Sequence, residues 1–148
     1  MELIELLLSH GASAAACSLS VLFSSDRQRD PFLLKADMDR VRDLLGGQKA
    51  DIVLSDMAAS STGHKATDHL RIVALIEISL DFAHEVLVEG GWFVVKILQG
   101  GAQGELQRSL GQCFDKVRVI KPPASRSDSS EAYVAASGYR PAERESSA

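Results

Sequence analysis

The stretch that most restricts the fold is Gly91-Trp-Phe-Val-Val-Lys-Ile-Leu-Gln99, an apolar run that opens on a glycine pair and carries a single cation, Lys96. A run of this length and composition reads as a strand buried on both faces, as in parallel sheets covered by helices. A charge buried there without a partner is costly, so Lys96 is expected at the strand's end, facing a pocket or a carboxylate. The alternative is that the strand ends at Val95 and Lys96 is its solvated exit.

The rest of the chain sets bounds on that strand's surroundings. With 148 residues, one domain with its own core is expected, without help from disulfides or metals. Lysine and arginine number 16 against 20 acidic residues, a net charge of -4, so any nucleic acid must be held by a local basic patch. Cys17 and Cys113 have no metal-like spacing and read as free thiols of a reducing compartment. The apolar piece from Leu3 to Leu8 is flanked and interrupted by Glu2 and Glu5. It is unlike a signal peptide and too short to span a membrane.

Taken in order, residues 1–30 are small-residue-rich and carry little periodicity beyond a short helix at 1–9. Phe32 to Leu34 reads as a short strand ending at Lys35-Ala-Asp37, and residues 39–45 as a helix stopped by Gly46-Gly47. Asp51-Ile-Val-Leu-Ser-Asp56 is a buried strand with a carboxylate at its C-terminal end. A long helix is predicted from an N-cap at Thr67 to Val88, with Ile72, Ile76, Leu80, Ala83 and Leu87 inward and Glu77, Asp81, His84 and Glu85 outward. Gly90-Gly91 should stop it before the Lys96 strand. A further helix with Leu106, Leu110 and Phe114 inward precedes an alternating strand at 116–120 and a last strand at 131–138. Strands alternating with helices argue for an α/β domain with a mainly parallel sheet.

Ligands of such sheets bind outside the carboxyl ends of the strands. Asp56 and Lys96 lie at such ends. If the last strand runs antiparallel, its first residue, Glu131, lies at the same edge. A lysine between two carboxylates is held as a cation and can position a hydroxyl or take its proton. The same trio also suits a structural ion-pair cluster closing the sheet.

Asp51-Ile-Val-Leu-Ser-Asp-Met-Ala, Thr62-Gly63, Asp68-His-Leu-Arg71, Gly90-Gly-Trp-Phe-Val-Val-Lys96, Gln99-Gly100, Lys121-Pro122, Ala124-Ser-Arg126 and Ser130-Glu131 with Tyr133 and Val134 occur in that order. Together they resemble the motifs of the FtsJ-like ribosomal RNA 2′-O-methyltransferases, the bacterial large-subunit uridine branch above all. The resemblance implies a Rossmann-like S-adenosylmethionine-dependent methyltransferase fold. It also implies methylation of a ribose 2′-hydroxyl in large-subunit ribosomal RNA. Within it Lys96, Asp56 and Glu131 are the catalytic group, and Asp37 and Asp56 border the cofactor, S-adenosylmethionine. The implied partner is ribosomal RNA or the large ribosomal subunit, met in the cytoplasm of a bacterium or the mitochondrion of a eukaryote, by a monomer with no membrane attachment and no metal.

The family's first lysine, its Gly-rich cofactor loop and the acidic ribose ligand after its second strand are not recognisable in residues 1–30. The expected organisation is therefore an atypical or truncated segment at 1–30, the C-terminal part of the methyltransferase domain at 31–140, and a polar tail at 141–148. An inactive fragment that only binds RNA is the alternative function. Arg118, Lys121 and Arg126, with Lys116 and Arg140, are candidates for the local basic patch, or else a solvated strand face and loop. Gly100-Gly-Ala-Gln-Gly104 reads as a strand-to-helix turn rather than a phosphate cradle, and His64 with His69 lacks the partners of a metal site.

Overall fold

The computed structural model describes residues 31–55, 63–98, 103–121 and 131–142. The expectations for residues 1–30, for Asp56, for Arg126 and for most of the tail lie outside these. Element order is α1 (Pro31–Leu45), β1 (Ala50–Ser55), α2 (Lys65–Val86), β2 (Leu87–Leu98), α3 (Gln103–Cys113), β3 (Phe114–Ile120) and β4 (Glu131–Tyr139).

The strands form one sheet in the order β1-β2-β4-β3. β1 runs parallel to β2, and β4 runs antiparallel to both β2 and β3. The last strand thus has the direction that brings its first residue to the carboxyl ends of β1 and β2. One sheet face carries the main core. Val53, Phe93, Val95, Ile97, Ala132, Val134 and Ala136 meet Met38 of α1, Ile76, Phe82, Ala83 and Val86 of α2, and Leu106 and Leu110 of α3. The other face gathers Val94, Ile120 and Ala135, with Ile52, Leu54, Trp92 and Tyr133 packed around them.

Three boundaries differ from expectation. Phe32 to Leu34 is no strand but belongs to α1, which starts at Pro31. Proline is pre-set for a first helical position, and Leu34, Met38, Val41 and Leu45 continue at spacings of four, three and four, so the triplet is the opening of an amphipathic helix. Gly46 and Gly47, at φ +56° and +84°, end it as expected.

The second difference is at the start of α2. His64 holds the N-cap position in extended backbone and makes no side-chain cap hydrogen bond. Thr67 is already within the helix.

The third is at its end. The helix stops at Val86, and Gly90-Gly91 lie inside β2 rather than before it. Ala50 pairs with Leu87 and Ile52 with Trp92, so β2 advances five residues while β1 advances two. Gly90 absorbs this irregularity at φ +80°. A Cβ on Gly91 would stand 2.8 Å from the Val88 carbonyl oxygen and 3.0 Å from that of Asp51. The glycine pair therefore serves a bulge where two backbones meet.

Candidate functional site

β2 continues beyond Val95 to Leu98, so Lys96 is not the strand's solvated exit. It is a strand residue, half-buried, directly opposite Tyr133 of β4. Two residues further on, Leu98 pairs with Glu131. Positions 96 and 131 are therefore diagonal neighbours on one side of the β2–β4 ladder, a separation that long side chains span. On the other flank of β2, Ser55 pairs with Val95. Asp56, the next residue in sequence, falls outside the described residues.

Pleating extends this into rows across the sheet. Ile120, Tyr133 and Lys96 form one row. Arg118, Ala135, Val94 and Leu54 form the next, and Lys116, Ser137, Trp92 and Ile52 the third. Lys96 thus shares its face with Arg118 and Lys116, which are exposed on β3. Lys121, just past β3, is also exposed. Asp37 sits within α1 rather than at a strand end, so the local setting expected for it is corrected. Among the described residues no cluster of three or more His, Cys, Asp or Glu side chains suits a metal ion, and no helix is long and apolar enough to cross a membrane.

Sequence reasoning missed one feature beside this edge. Ser55 and Ser79 are both fully buried, with their hydroxyl oxygens 3.1 Å apart. Ser79 donates to the Leu75 carbonyl at 2.7 Å. A hydroxyl has one proton, so Ser55 must donate to Ser79. The end of β1 is thereby tied to α2 within an apolar core. The signal was present: Ile72, Ile76, Ser79, Ala83 and Val86 are spaced four, three, four and three apart, a truer inner stripe than one drawn through Leu80 and Leu87.

A cross-brace holds α1 against α2. Arg42 donates to both Glu85 carboxylate oxygens, the Nη2 bond being 2.8 Å, and to Asp39 at 2.6 Å. Its guanidinium lies 5.3 Å from the centre of the Phe82 ring. The hydrogen bond from Arg42 holds the Glu85 carboxyl below its ordinary range. That from Lys35, with Arg42 beside it, does the same for Asp39.

Comparison with known proteins decides the family. The profile of the FtsJ-like methyltransferases matches residues 22–139. The chain belongs to the FtsJ-like methyltransferase family. Its sheet and helices accordingly form part of that family's Rossmann-like fold. A protein of Ruegeria pomeroyi named ribosomal RNA large subunit methyltransferase E is 62% identical over 102 residues, covering 69% of this chain and 43% of the relative. One of the same name from Roseobacter denitrificans is 65% identical over 102 residues, 42% of its length. The chain thus spans less than half of the curated relatives it matches. Among solved structures, a Plasmodium falciparum protein described as a ribosomal RNA methyltransferase superposes with a TM-score of 0.57 at 28% identity, over 68% of this chain and 53% of its own.

Proposed function

We propose that this FtsJ-like chain serves S-adenosylmethionine-dependent methylation of a ribose 2′-hydroxyl, a uridine's, in large-subunit ribosomal RNA, in the cytoplasm. The observation that carries the reading is the half-buried Lys96, at a carboxyl strand end and diagonal in register to position 131. The names of the relatives support the RNA substrate.

In this reading Lys96 orients the 2′-hydroxyl and receives its proton, or passes it to water, as the oxygen gains a methyl group. Glu131 holds the lysine or the ribose, and Asp56 keeps the lysine cationic between turnovers. S-adenosylmethionine, when bound, would supply an electrophilic methyl group. The donor set among the described residues suits the hydroxyl end of such a site and not its adenosine end, since Asp37 stands on a helix. Asp37 and Asp56 therefore enter as cofactor contacts through the family resemblance alone, and no step is assigned to them.

The test is transfer of labelled methyl groups from S-adenosylmethionine to large ribosomal subunits and to free ribosomal RNA. Transfer that disappears in Lys96→Ala is expected. Full transfer by that variant would overturn the assignment. A second reading, RNA retention without chemistry, is favoured by the exposed Lys116, Arg118 and Lys121. It requires RNA binding that is unchanged in Lys96→Ala and weakened, most at low salt, when Arg118, Lys121 and the loop residue Arg126 are replaced.

A further inference from the structure

The two faces of the sheet are covered differently. Helical residues from α1, α2 and α3 all join the cluster on one face. The cluster on the other consists of strand residues alone: among the described residues no helix contributes to it. Ile52, Leu54, Trp92 and Tyr133 surround it, each only half-buried.

The edge formed by β1 is equally unusual. β1 is last in the strand order and pairs on one side only among the described residues. Its sequence, Ala-Asp-Ile-Val-Leu-Ser, has no proline and no lysine, and Val53 and Ser55 are fully buried. Edge strands are ordinarily blunted by such residues or by bulges that twist them away, and parallel strands are ordinarily covered on both faces. β1 has the composition of an interior strand in an edge position. Its Ile52 and Leu54 continue directly onto the helix-free face, so edge and face form one continuous surface.

The relatives indicate what fits there. The matched residues make up 43% of the Ruegeria pomeroyi protein and lie in its C-terminal part, so more than half of that protein has no counterpart in the match. We propose that the β1 edge and the face bearing Ile52, Leu54, Trp92 and Val94 are a docking surface. Its occupant is a polypeptide of the kind those relatives carry ahead of the matched region, adding a strand beside β1 and an apolar layer over the face. This rests on family membership and sheet geometry, and holds whether or not the chain transfers methyl groups.

The experiment is co-expression of the whole chain, tagged, with the unmatched N-terminal portion of the Ruegeria pomeroyi relative as a separate polypeptide. A one-to-one complex is expected. Amide hydrogen exchange over residues 50–55 should slow by roughly tenfold or more in the complex, while residues 114–120, at the opposite edge, keep their rates. Ile52→Lys combined with Leu54→Lys should abolish co-purification. Should that variant misfold, the exchange contrast in the unsubstituted chain decides alone. The proposal is overturned if the tagged chain purifies without the segment, if it forms a homodimer with β1 protected and no response to the segment, or if protection appears at β3 instead.

Discussion

The two ends of the sheet are built to different rules. Away from Lys96, where β4 ends and β3 begins, Phe114 stacks with Phe93 at 6.3 Å between ring centres and with Tyr139 at 5.3 Å. The Tyr139 hydroxyl meets His84 Nδ1 at 3.0 Å and also donates to the His84 carbonyl. The Arg140 amide closes onto the Cys113 carbonyl at 2.8 Å. At the other end the strands present a half-buried cation and a carboxylate position in register. Rigidity gathers at the aromatic end, and reactive groups at the end where strands give way to loops. That division lets the chemistry vary without cost to the core.

If the division is real, substitutions at the two ends should have separable effects. Phe114→Ala empties a fully buried site and should cost about 3–5 kcal/mol, read from denaturant unfolding. Lys96→Ala should leave the unfolding midpoint nearly unchanged and lower methyl transfer by about 10²–10⁴-fold, the range for a lost proton-handling group. A large loss of stability in Lys96→Ala would erase the contrast, making the lysine part of the structural frame.

The middle of the sheet gives the next effect. Gly91→Ala places a methyl group against two backbone carbonyls that cannot move without disturbing the bulge, and should cost about 1–3 kcal/mol. Gly90 meets nothing within 4 Å, but its φ is +80°. Alanine there should cost about 1–2 kcal/mol through backbone strain. Equal tolerance of both substitutions in thermal unfolding would mean that the bulge is not fixed.

These glycines also show how far the fold could be read beforehand. The Lys96 strand, the β3 and β4 strands and the direction of β4 follow from apolar runs and alternation, signals that depend on neighbours in sequence. The α1 start, the α2 cap and the Gly90-Gly91 bulge were misplaced because each is decided across the chain. Phe32 to Leu34 is apolar in either a strand or a helix, and only the continuation through Met38, Val41 and Leu45 settles it. The site was legible where ordered motifs carried it, at Lys96 and Glu131. The Ser55–Ser79 pair was not, since two serines 24 residues apart announce nothing until β1 packs on α2.

Tyr139 sharpens the picture of the braced end. Burial pushes its phenol above the usual value, with Cys113 nearby adding to the shift. A group whose folded pKa is raised lends stability below its unfolded pKa and loses it as pH rises through the folded value. Unfolding should therefore become easier from about pH 10 upward. Tyr139→Phe should remove that alkaline limb while costing about 1 kcal/mol at neutral pH for the lost hydrogen bond. Persistence of the limb in the phenylalanine variant would assign it to other groups.

The smallest effect belongs to the surface brace between α1 and α2. Glu85 and Asp39 have folded pKa values below their ordinary 4.5 and 3.8. What they contribute is present above those values and lost as pH falls through the folded ones, the reverse of Tyr139. Both carboxylates are about half exposed, so solvent screens the ion pairs, and the Arg42–Glu85 pair should be worth under about 1 kcal/mol. Arg42→Ala should flatten the acid limb of the stability profile below about pH 4.5 and leave the alkaline limb untouched. High salt should reproduce much of that flattening in the unsubstituted chain. If Arg42→Ala instead destabilises the chain equally at every pH, the stacking of its guanidinium on Phe82 matters more than its charge, and α1 is held by packing.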